Sequence, residues 1–463
     1  MMDRAQSLVR WFFFLYIFSS PFYGVSLFNI GSRGLARIDW LAAGALIVIF
    51  SIYFIANRYP LRSSPTNQYV LLFLVAGLLT ITNLFNASNS QFIDFGTKAA
   101  QLLLAITFFL VISSCPFTES EIKTGLRLWI LAALIASLYA IYQVFALTYR
   151  LPFSTFPLTN PSVTYQSGED RIIFGYSQVS SFFSEPSYLG AFLLGPMIVV
   201  IVFLLTGNGQ TLLSKSQLFN WMILLVLASA FMLTGSQAAY ISLLAVILLM
   251  IFSGRIARTK IVKLVTVLLF FLILGGIFLS LYGMDFFGAL ILRFKYLFVN
   301  IVNPLETAEI SSFRVRSECM LAAMNVWLSH PILGVGLNNL SYHTNVCEFT
   351  LGWSQLIVDQ GILGTILLIL VFWSSIRGLN RLSKEPGLSQ FWSILSLSLI
   401  FVLLCDIVNG IFTYNWIDLQ RWFTLGLANF VIIQANSNLD REVSISYARD
   451  RVTSSNQTGV RLV

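Results

Sequence analysis

The sequence predicts an all-α, polytopic integral membrane protein with about twelve transmembrane helices. Its 463 residues are 57% hydrophobic and only 10% charged, whereas a soluble domain carries roughly 25% charged residues. Apolar windows of about 20 residues, the length that crosses a bilayer core, recur along nearly the whole chain. These windows are continuous rather than alternating, which favours helices over a β-barrel.

Twelve segments have the apolarity of a membrane span. They are residues 8–30, 40–57, 67–87, 97–114, 122–148, 187–206, 217–234, 236–253, 262–282, 354–375, 391–412 and 421–436. The first lacks a small-residue cleavage site, and its aromatic run from Trp11 to Tyr16 suits a retained helix better than a signal peptide. We therefore expect the first helix to remain in the protein.

The spans divide the chain into six regions. These are an N-terminal bundle of five helices (1–148), a first long external loop (149–186), four helices (187–282), a second long external loop (283–353), three helices (354–436) and a polar tail (437–463). The tail is rich in Ser, Asn and Arg, so we expect it to be disordered and cytoplasmic.

The orientation follows from the positive charges. With the N-terminus inside, most of the 28 lysines and arginines lie on the cytoplasmic side, in agreement with the positive-inside rule. Both termini are then cytoplasmic, and both long loops are extracytoplasmic. The net charge of +8 mainly reflects this basic collar beside the lipid bilayer, and nothing in the sequence indicates a nucleic-acid partner.

The four cysteines show no spacing typical of a metal site, and we expect no metal or other cofactor. Only Cys319 and Cys347 are predicted to lie outside, where an oxidising compartment would allow a disulfide. Two separately buried thiols are the alternative.

The second long loop contains a predicted amphipathic helix from about Ser312 to Ser329, which Pro331 terminates. The side chains expected to dock on the membrane bundle recur at helical spacing and are Phe313, Met320, Met324 and Trp327. Arg316 lies on this docking face and requires an anion or a carboxylate, with a salt-bridged anchor as the alternative. Arg314 is four residues before Glu318, which predicts a surface ion pair.

The first long loop contains Arg171 and ends in the segment Phe183-Ser-Glu-Pro-Ser-Tyr188, which leads directly into a membrane span. Pro186 suits the first turn of that helix. Glu185 then lies at the positive end of the helix dipole, so it is either a capping carboxylate or a catalytic one.

Three charged residues near the last two spans are also candidates, because charge at membrane depth is costly and tends to face a cavity. Asp406 lies in the eleventh span without an obvious partner. Asp418 and Arg421 lie at the mouth of the twelfth span, where they form either an interfacial pair or part of a site.

Three features together resemble the O-antigen ligase and polymerase family of bacterial polysaccharide assembly. They are Arg316, then Pro331-Ile-Leu-Gly-Val-Gly336, then Gly361-Ile-Leu-Gly364, in that order and at the family's spacing. The junction from Phe183 to Tyr188 looks like the exopolysaccharide-polymerase branch. The resemblance covers the second half of the chain and this junction.

One position departs from the family pattern. The ligases usually carry a His-Asn pair about eleven residues before the glycine of the final motif, and here that position holds Thr350-Leu351. His343, seven residues upstream, is either a shifted substitute or an ordinary loop histidine. The departure favours polymerisation over ligation.

The resemblance implies a GT-C-like membrane glycosyltransferase in the bacterial inner membrane, with its active site on the periplasmic face. Such enzymes join a sugar hydroxyl to the anomeric carbon of a glycan carried on undecaprenyl diphosphate. The donor and acceptor are both lipid-linked glycans, and a flippase and a chain-length regulator are the implied protein partners.

The resemblance also implies roles for particular residues. Arg171 and Arg316 are the candidates for gripping the diphosphate, with Arg314 in reserve. Glu185 or His343 is the candidate base. Tyr188 and Arg421 are further substrate-binding candidates.

Two other functions stay open. A ligase would transfer finished polymer to a lipid or protein acceptor. A transporter or flippase would have repeated halves with broken helices around a midplane site. The sequence has no evident internal repeat, which favours the enzyme.

Overall fold

The computed structural model describes residues 2–22, 24–30, 34–57, 63–84, 87–154, 172–173, 176–206, 212, 216–281, 287–288, 291, 311–344, 352–411 and 416–437. The helices are α1 (Met2–Ser19), α2 (Ile38–Asn57), α3 (Pro65–Leu79), α4 (Asn89–Ser114), α5 (Glu119–Thr148), α6 (Pro186–Thr206), α7 (Gln217–Leu233), α8 (Gln237–Ser253), α9 (Arg258–Leu281), α10 (Ser311–Ser329), α11 (Gly352–Leu382), α12 (Gln390–Gly410) and α13 (419–437). The predicted tail from Leu439 onward lies outside the described residues.

The helices confirm a polytopic membrane protein. Within the described ranges, eight helices are long and apolar enough to cross a membrane, namely α2, α3 with the turn after it, α4, α5, α6, α9, α11 and α12. Helices α7 and α8 are apolar but have only 17 residues each. Each of the twelve predicted spans overlaps a helix, whereas twelve crossings stay a prediction.

The first predicted span, 8–30, is too long. Helix α1 ends at Ser19, and the Ser19 hydroxyl donates to the carbonyl of Tyr16 at 3.0 Å. Pro21 follows, and the residue before a proline is biased away from helical backbone. The chain then forms two short strands, β1 (Ser26–Ile30) and β2 (Gly34–Arg37), which pair antiparallel. A second small pair joins β3 (Ile172–Ile173) to β4 (Tyr176–Ser177).

The core is formed by the helices themselves. Helix α12 packs on α6, α8 and α11, while α3 packs on α11 and α5 packs on α1, α6 and α7. Close approach depends on small residues: a Cβ at Gly195 of α6 would lie 2.7 Å from the ring of Trp129 in α5. The fully buried side chains include many aromatic rings, Trp129, Trp416 and Trp422 among them.

Contacts between helix ends fall into two groups. Ends predicted to be cytoplasmic contact each other, through Arg10 with Glu121 (2.7 Å), Ser389 with Glu119 (3.2 Å) and Arg255 with Ser383 (2.7 Å). Ends predicted to be external contact each other, through Gly24 with Phe182 (2.7 Å), Asn83 with Gly334 (2.6 Å) and Tyr342 with Asp94 (2.7 Å).

Candidate functional site

Helix α11 is broken at Gly361, and the loop after α10 repairs the break. Gly361 has φ of 64° and ψ of −163°, so the helical hydrogen bonds are interrupted there. On one side of the break, the N–H groups of Val335 and Gly336 donate to the carbonyls of Val358 and Asp359, at 2.8 and 3.2 Å. On the other side, the N–H groups of Ile362 and Leu363 donate to the carbonyls of Pro331 and Ile332, at 2.9 and 3.2 Å.

The two glycine motifs of the sequence are therefore two halves of one structure, which we call the loop clamp (Pro331–Gly336 with Val358–Leu363). A Cβ at Gly334 would lie 2.2 Å from the carbonyl oxygen of Val358. A Cβ at Gly361 would lie 2.2 Å from that of Ile332. Both glycines also have positive φ, which side chains other than glycine rarely adopt.

A fully buried carboxylate lies under the loop clamp. Asp359 is 0% exposed and accepts hydrogen bonds from the backbone N–H of Asn338 (3.2 Å), the Gln355 amide (2.8 Å) and the Trp416 indole (3.3 Å). Trp416 begins the turn into α13, so Asp359 joins the clamp to the last helix. Sequence reasoning missed Asp359, although a carboxylate inside an apolar span was the signal that could have found it.

The two histidines of the chain lie together beside the clamp. The rings of His330 and His343 are 5.8 Å apart, and His330 Nδ1 is 2.9 Å from the Ser329 hydroxyl. Burial lowers the pKa of His343, and the charge of His330 lowers it further. A neutral imidazole outside the membrane can accept a proton, as a general base must.

A small polar pocket opens between α6, α12 and α13. Its volume is about 50 Å³, well below the roughly 300 to 1,000 Å³ of pockets that enclose whole ligands. The polar side chains that line it are Tyr188, Asp406, Asn409, Asp418, Gln420, Arg421 and Thr424. It has room for a few water molecules or one small polar group. Its lining carries two carboxylates and one guanidinium, so it disfavours a bare anion.

The ion pair in this pocket involves a carboxylate for which the sequence suggested no partner. Arg421, with only 8% of its side chain exposed, donates from Nε to Asp406 Oδ2 at 3.0 Å. Asp406 therefore has a partner, while the predicted interfacial pair of Asp418 with Arg421 stays a prediction. The contact between Asp406 of α12 and Arg421 of α13 joins two side chains that are 15 positions apart in the sequence.

Asp418 belongs to a wider charged cluster at the external helix ends. Burial raises the pKa of its carboxyl, while Arg37 and Arg421 oppose the rise. Arg37 is itself paired with Asp39, with 2.5 Å between Nη2 and Oδ2. The cluster joins the start of α2 to the start of α13. It contains three carboxylates, Asp39, Asp406 and Asp418, and two arginines, Arg37 and Arg421.

The segment before α6 is held in an irregular conformation that positions Glu185 and Tyr188. The Ser181 backbone, with φ of 53°, makes two hydrogen bonds with the Gln143 amide of α5: the Ser181 N–H donates to Gln143 Oε1 at 2.7 Å, and Gln143 Nε2 donates to the Ser181 carbonyl at 3.4 Å. Glu185 immediately precedes α6, and its carboxylate accepts from the Ser187 hydroxyl at 3.0 Å. Tyr188 follows one turn later and lines the pocket.

Gln420 links the pocket to a proline in α6. Pro196 lies inside the helix and has no N–H, so the carbonyl of Phe192, four residues earlier, loses its helical partner. The Gln420 amide donates to this carbonyl at 3.3 Å. A polar side chain of the last helix thus repairs a backbone defect in α6 at membrane depth.

The predicted site residues are only partly brought together. Tyr188 and Arg421 line one pocket with Glu185 a turn away, whereas His343 lies with His330 beside the loop clamp. Arg171 lies outside the described residues. Arg314 and Arg316 lie in α10, but their side chains are also outside the described part, so their predicted roles stay predictions.

Cys319 is disulfide-bonded, while Cys115 and Cys405 are free and buried. Cys347, its predicted partner, lies outside the described residues. The bond confirms that Cys319 is not a separately buried thiol.

No protein-family model matches this chain, and no curated protein matches it.

Proposed function

We propose that the protein is a membrane glycosyltransferase that polymerises undecaprenyl-diphosphate-linked oligosaccharide repeat units into an exopolysaccharide or O-antigen. An acceptor sugar hydroxyl attacks the anomeric carbon of the donor glycan and forms the new C–O bond. The bond from that carbon to the diphosphate oxygen breaks, undecaprenyl diphosphate leaves, and the hydroxyl proton passes to a base. Arg171 and Arg316 stabilise the charge on the leaving group.

The loop clamp is the observation that carries this proposal. The motifs on which the resemblance to the O-antigen ligase and polymerase family rests, Pro331–Gly336 and Gly361–Gly364, bind each other through two backbone hydrogen bonds, and two more join the first motif to Val358 and Asp359. Their spacing in the sequence therefore has a structural cause. The clamp also fixes both ends of the segment that carries His343, next to the helix that carries Arg316.

His343 and Glu185 are the candidates for the base. The lowered pKa of His343 keeps its imidazole neutral near pH 7, so that it can take up a proton. Glu185 is half-buried near the pocket, and its carboxylate accepts a hydrogen bond from the Ser187 hydroxyl. Both residues lie at helix ends that we assign to the extracytoplasmic face.

The grouping of helix-end contacts supports the proposed topology in the bacterial inner membrane. Contacts among the predicted cytoplasmic ends and contacts among the predicted external ends stay separate, as expected if the chain crosses the membrane between them. With both termini cytoplasmic, the clamp, the two histidines and the pocket all belong to the extracytoplasmic side.

A transporter is the second candidate, because the break in α11 is a feature of transporter helices. In transporters, the freed backbone groups line the site and coordinate the ion or substrate. Here the carbonyls of Val358 and Asp359 and the N–H groups of Ile362 and Leu363 are all bonded to the clamp loop. These four groups are therefore not free to bind an ion or a substrate, which favours the enzyme.

The test is an in vitro reaction with purified protein and undecaprenyl-diphosphate-linked repeat units. Products are separated by gel electrophoresis and identified by mass spectrometry. Arg171→Ala and Arg316→Ala are assayed in parallel. Arg258→Ala is the matched control, since Arg258 is an exposed arginine on the predicted cytoplasmic face.

A ladder of longer lipid-linked glycans from the wild type and from Arg258→Ala, with loss of the ladder in the other two variants, would support the proposal. Transfer of preformed polymer to a lipid or protein acceptor without a ladder would establish a ligase. Movement of the lipid-linked glycan across proteoliposomes without new glycosidic bonds would establish a transporter.

A further inference from the structure

Helix α10 has three faces of different character. Its buried face carries Cys319, Ala323 and Val326, and the last two belong with Val335, Leu340 and Val358 to a small apolar cluster around the loop clamp. This corrects the sequence prediction, because Met320 was expected to dock and is instead 46% exposed. The small side chains form the buried face, since they allow a closer approach.

The exposed surface of α10 divides into a polar and an apolar face. Glu318, Asn325 and Ser329 recur at seven and four residues, which places them on one side of the helix, and all three are exposed. Leu321 and Leu328 are also seven residues apart, on another side, and are 60% and 65% exposed. If both exposed faces of the helix were in water, two leucines on the same side would not be so highly exposed.

The apolar face of α10 continues into the lipid-facing surface of α11. Ile332, one turn beyond Leu328, is 66% exposed, and its carbonyl accepts a hydrogen bond from the N–H of Leu363. Leu363 and its neighbour Ile362 are exposed, and so is Ile366 one turn further along α11. Helix α11 is one of the helices apolar enough to cross a membrane, so these side chains face acyl chains.

We propose that α10 lies in the plane of the membrane surface, with Leu321 and Leu328 in contact with the outer lipid leaflet. The polar face with Asn325 then faces water, and the third face rests on the loop clamp. This arrangement is that of an interfacial amphipathic helix, whose apolar side enters the boundary between headgroups and acyl chains. The occupant of the exposed apolar face is the bilayer itself, because that face is continuous with α11. The inference holds whether or not the protein is a glycosyltransferase.

Fluorescence quenching in nanodiscs tests this placement. Leu321→Cys and Leu328→Cys are labelled with an environment-sensitive NBD fluorophore, and Asn325→Cys is the control on the polar face of the same helix. Ile369→Cys, at an exposed position of α11, is the control within the bilayer. Labelling of the unsubstituted protein corrects for the native thiols, and a size-exclusion profile shows that each variant is folded.

We expect blue-shifted emission at positions 321 and 328, with quenching by nitroxide lipids labelled near the headgroup and little quenching by aqueous iodide. Position 325 should show the reverse, and position 369 should respond best to nitroxides placed deeper in the acyl chain. Equal iodide quenching at 321, 328 and 325 would overturn the proposal, because the apolar face would then be in water. Protection of 321 and 328 from both quenchers would overturn it as well, since the face would then be covered by protein.

Discussion

The backbone N–H of Val335 donates to the carbonyl of Val358 at 2.8 Å, and so connects an external loop to the broken turn of a membrane helix. An unbonded backbone group in lipid costs several kcal/mol, so a break in a spanning helix persists only where protein groups satisfy it. The loop from Pro331 to Gly336 supplies these groups. Its position is therefore determined by α11 and not by the loop sequence alone.

The clamp predicts a strong effect of Gly361→Ala. The added Cβ would meet the Ile332 carbonyl at 2.2 Å, and the positive φ alone costs on the order of 1–3 kcal/mol for a residue with a side chain. We expect a lower thermal unfolding midpoint in detergent and loss of activity. Gly96→Ala is the control, because Gly96 lies within α4 with no atom within 4 Å of its Cβ position. Equal midpoints for the two variants would contradict the clamp.

The hydrogen bond from Gln420 to the Phe192 carbonyl predicts that Pro196→Ala compensates for the loss of Gln420. Gln420→Leu removes the donor to the Phe192 carbonyl and should destabilise the protein by about 1–3 kcal/mol, the cost of a buried unsatisfied group. Pro196→Ala restores a helical N–H four residues after Phe192. In the Pro196→Ala background, Gln420→Leu should therefore cost less, as measured by a double-mutant cycle of unfolding free energies. The same cost in both backgrounds would show that the 3.3 Å contact is unimportant.

Removing one charge of the Asp406–Arg421 pair should lower the stability of the protein more than removing both. Asp406→Asn leaves the guanidinium buried without its counter-charge, at a cost that approaches about 3 kcal/mol for a buried pair. Asp406→Leu combined with Arg421→Met removes both charges, and we expect it to recover part of the loss. Lys123→Gln, which breaks a half-exposed pair with Glu119, should cost less than about 1 kcal/mol. The readout is the unfolding free energy in detergent.

His343 predicts that stability falls in mild acid. In the folded protein the pKa of His343 lies below its ordinary value of 6.5. As the pH falls, the unfolded chain therefore takes up a proton at this histidine before the folded protein does. The stabilisation is therefore complete above pH 6.5 and is lost as the pH falls from there through the folded pKa. The unfolding midpoint, measured between about pH 5 and 8, should show this loss in the wild type.

His343→Gln should flatten that part of the pH profile. His330→Gln should make the loss of stability smaller, since removing the neighbouring charge raises the folded pKa of His343 toward its ordinary value. An unchanged profile in both variants would assign the acid sensitivity to other groups.

Composition and the length of the apolar runs were sufficient to predict the fold class, because a spanning helix depends on local sequence alone. The end of α10 was also predictable, since Pro331 stops the helix wherever it packs. The buried face of α10 was not predictable. The helix has two apolar stripes, and we predicted that the one with the larger side chains, Met320 and Met324, would be buried. The buried stripe is the one with Cys319, Ala323 and Val326. Only the distance of approach to the loop clamp decides between them.

The break at Gly361 and the Asp406–Arg421 pair were beyond sequence reasoning for a related reason. The run through Gly361 is as apolar as an unbroken helix, and its hydrogen-bond partners lie about thirty residues earlier in the chain. Proximity in sequence favoured Asp418 as the partner of Arg421, whereas the packing of α12 against α13 selects Asp406. The break and the ion pair both depend on contacts between separate segments, and a sequence pattern describes each segment alone.

The loop clamp also constrains the order of biogenesis. As α11 enters the bilayer, an unbroken helix satisfies its own backbone hydrogen bonds. The break at Gly361 becomes stable only after Pro331–Gly336 has bound to Val358–Leu363. The loop is synthesised before α11, so it stays outside the membrane until Val358–Leu363 of α11 is in place to bind it. Formation of the clamp therefore follows insertion of α11, and the same step positions the histidine pair beside the helix that carries Arg316.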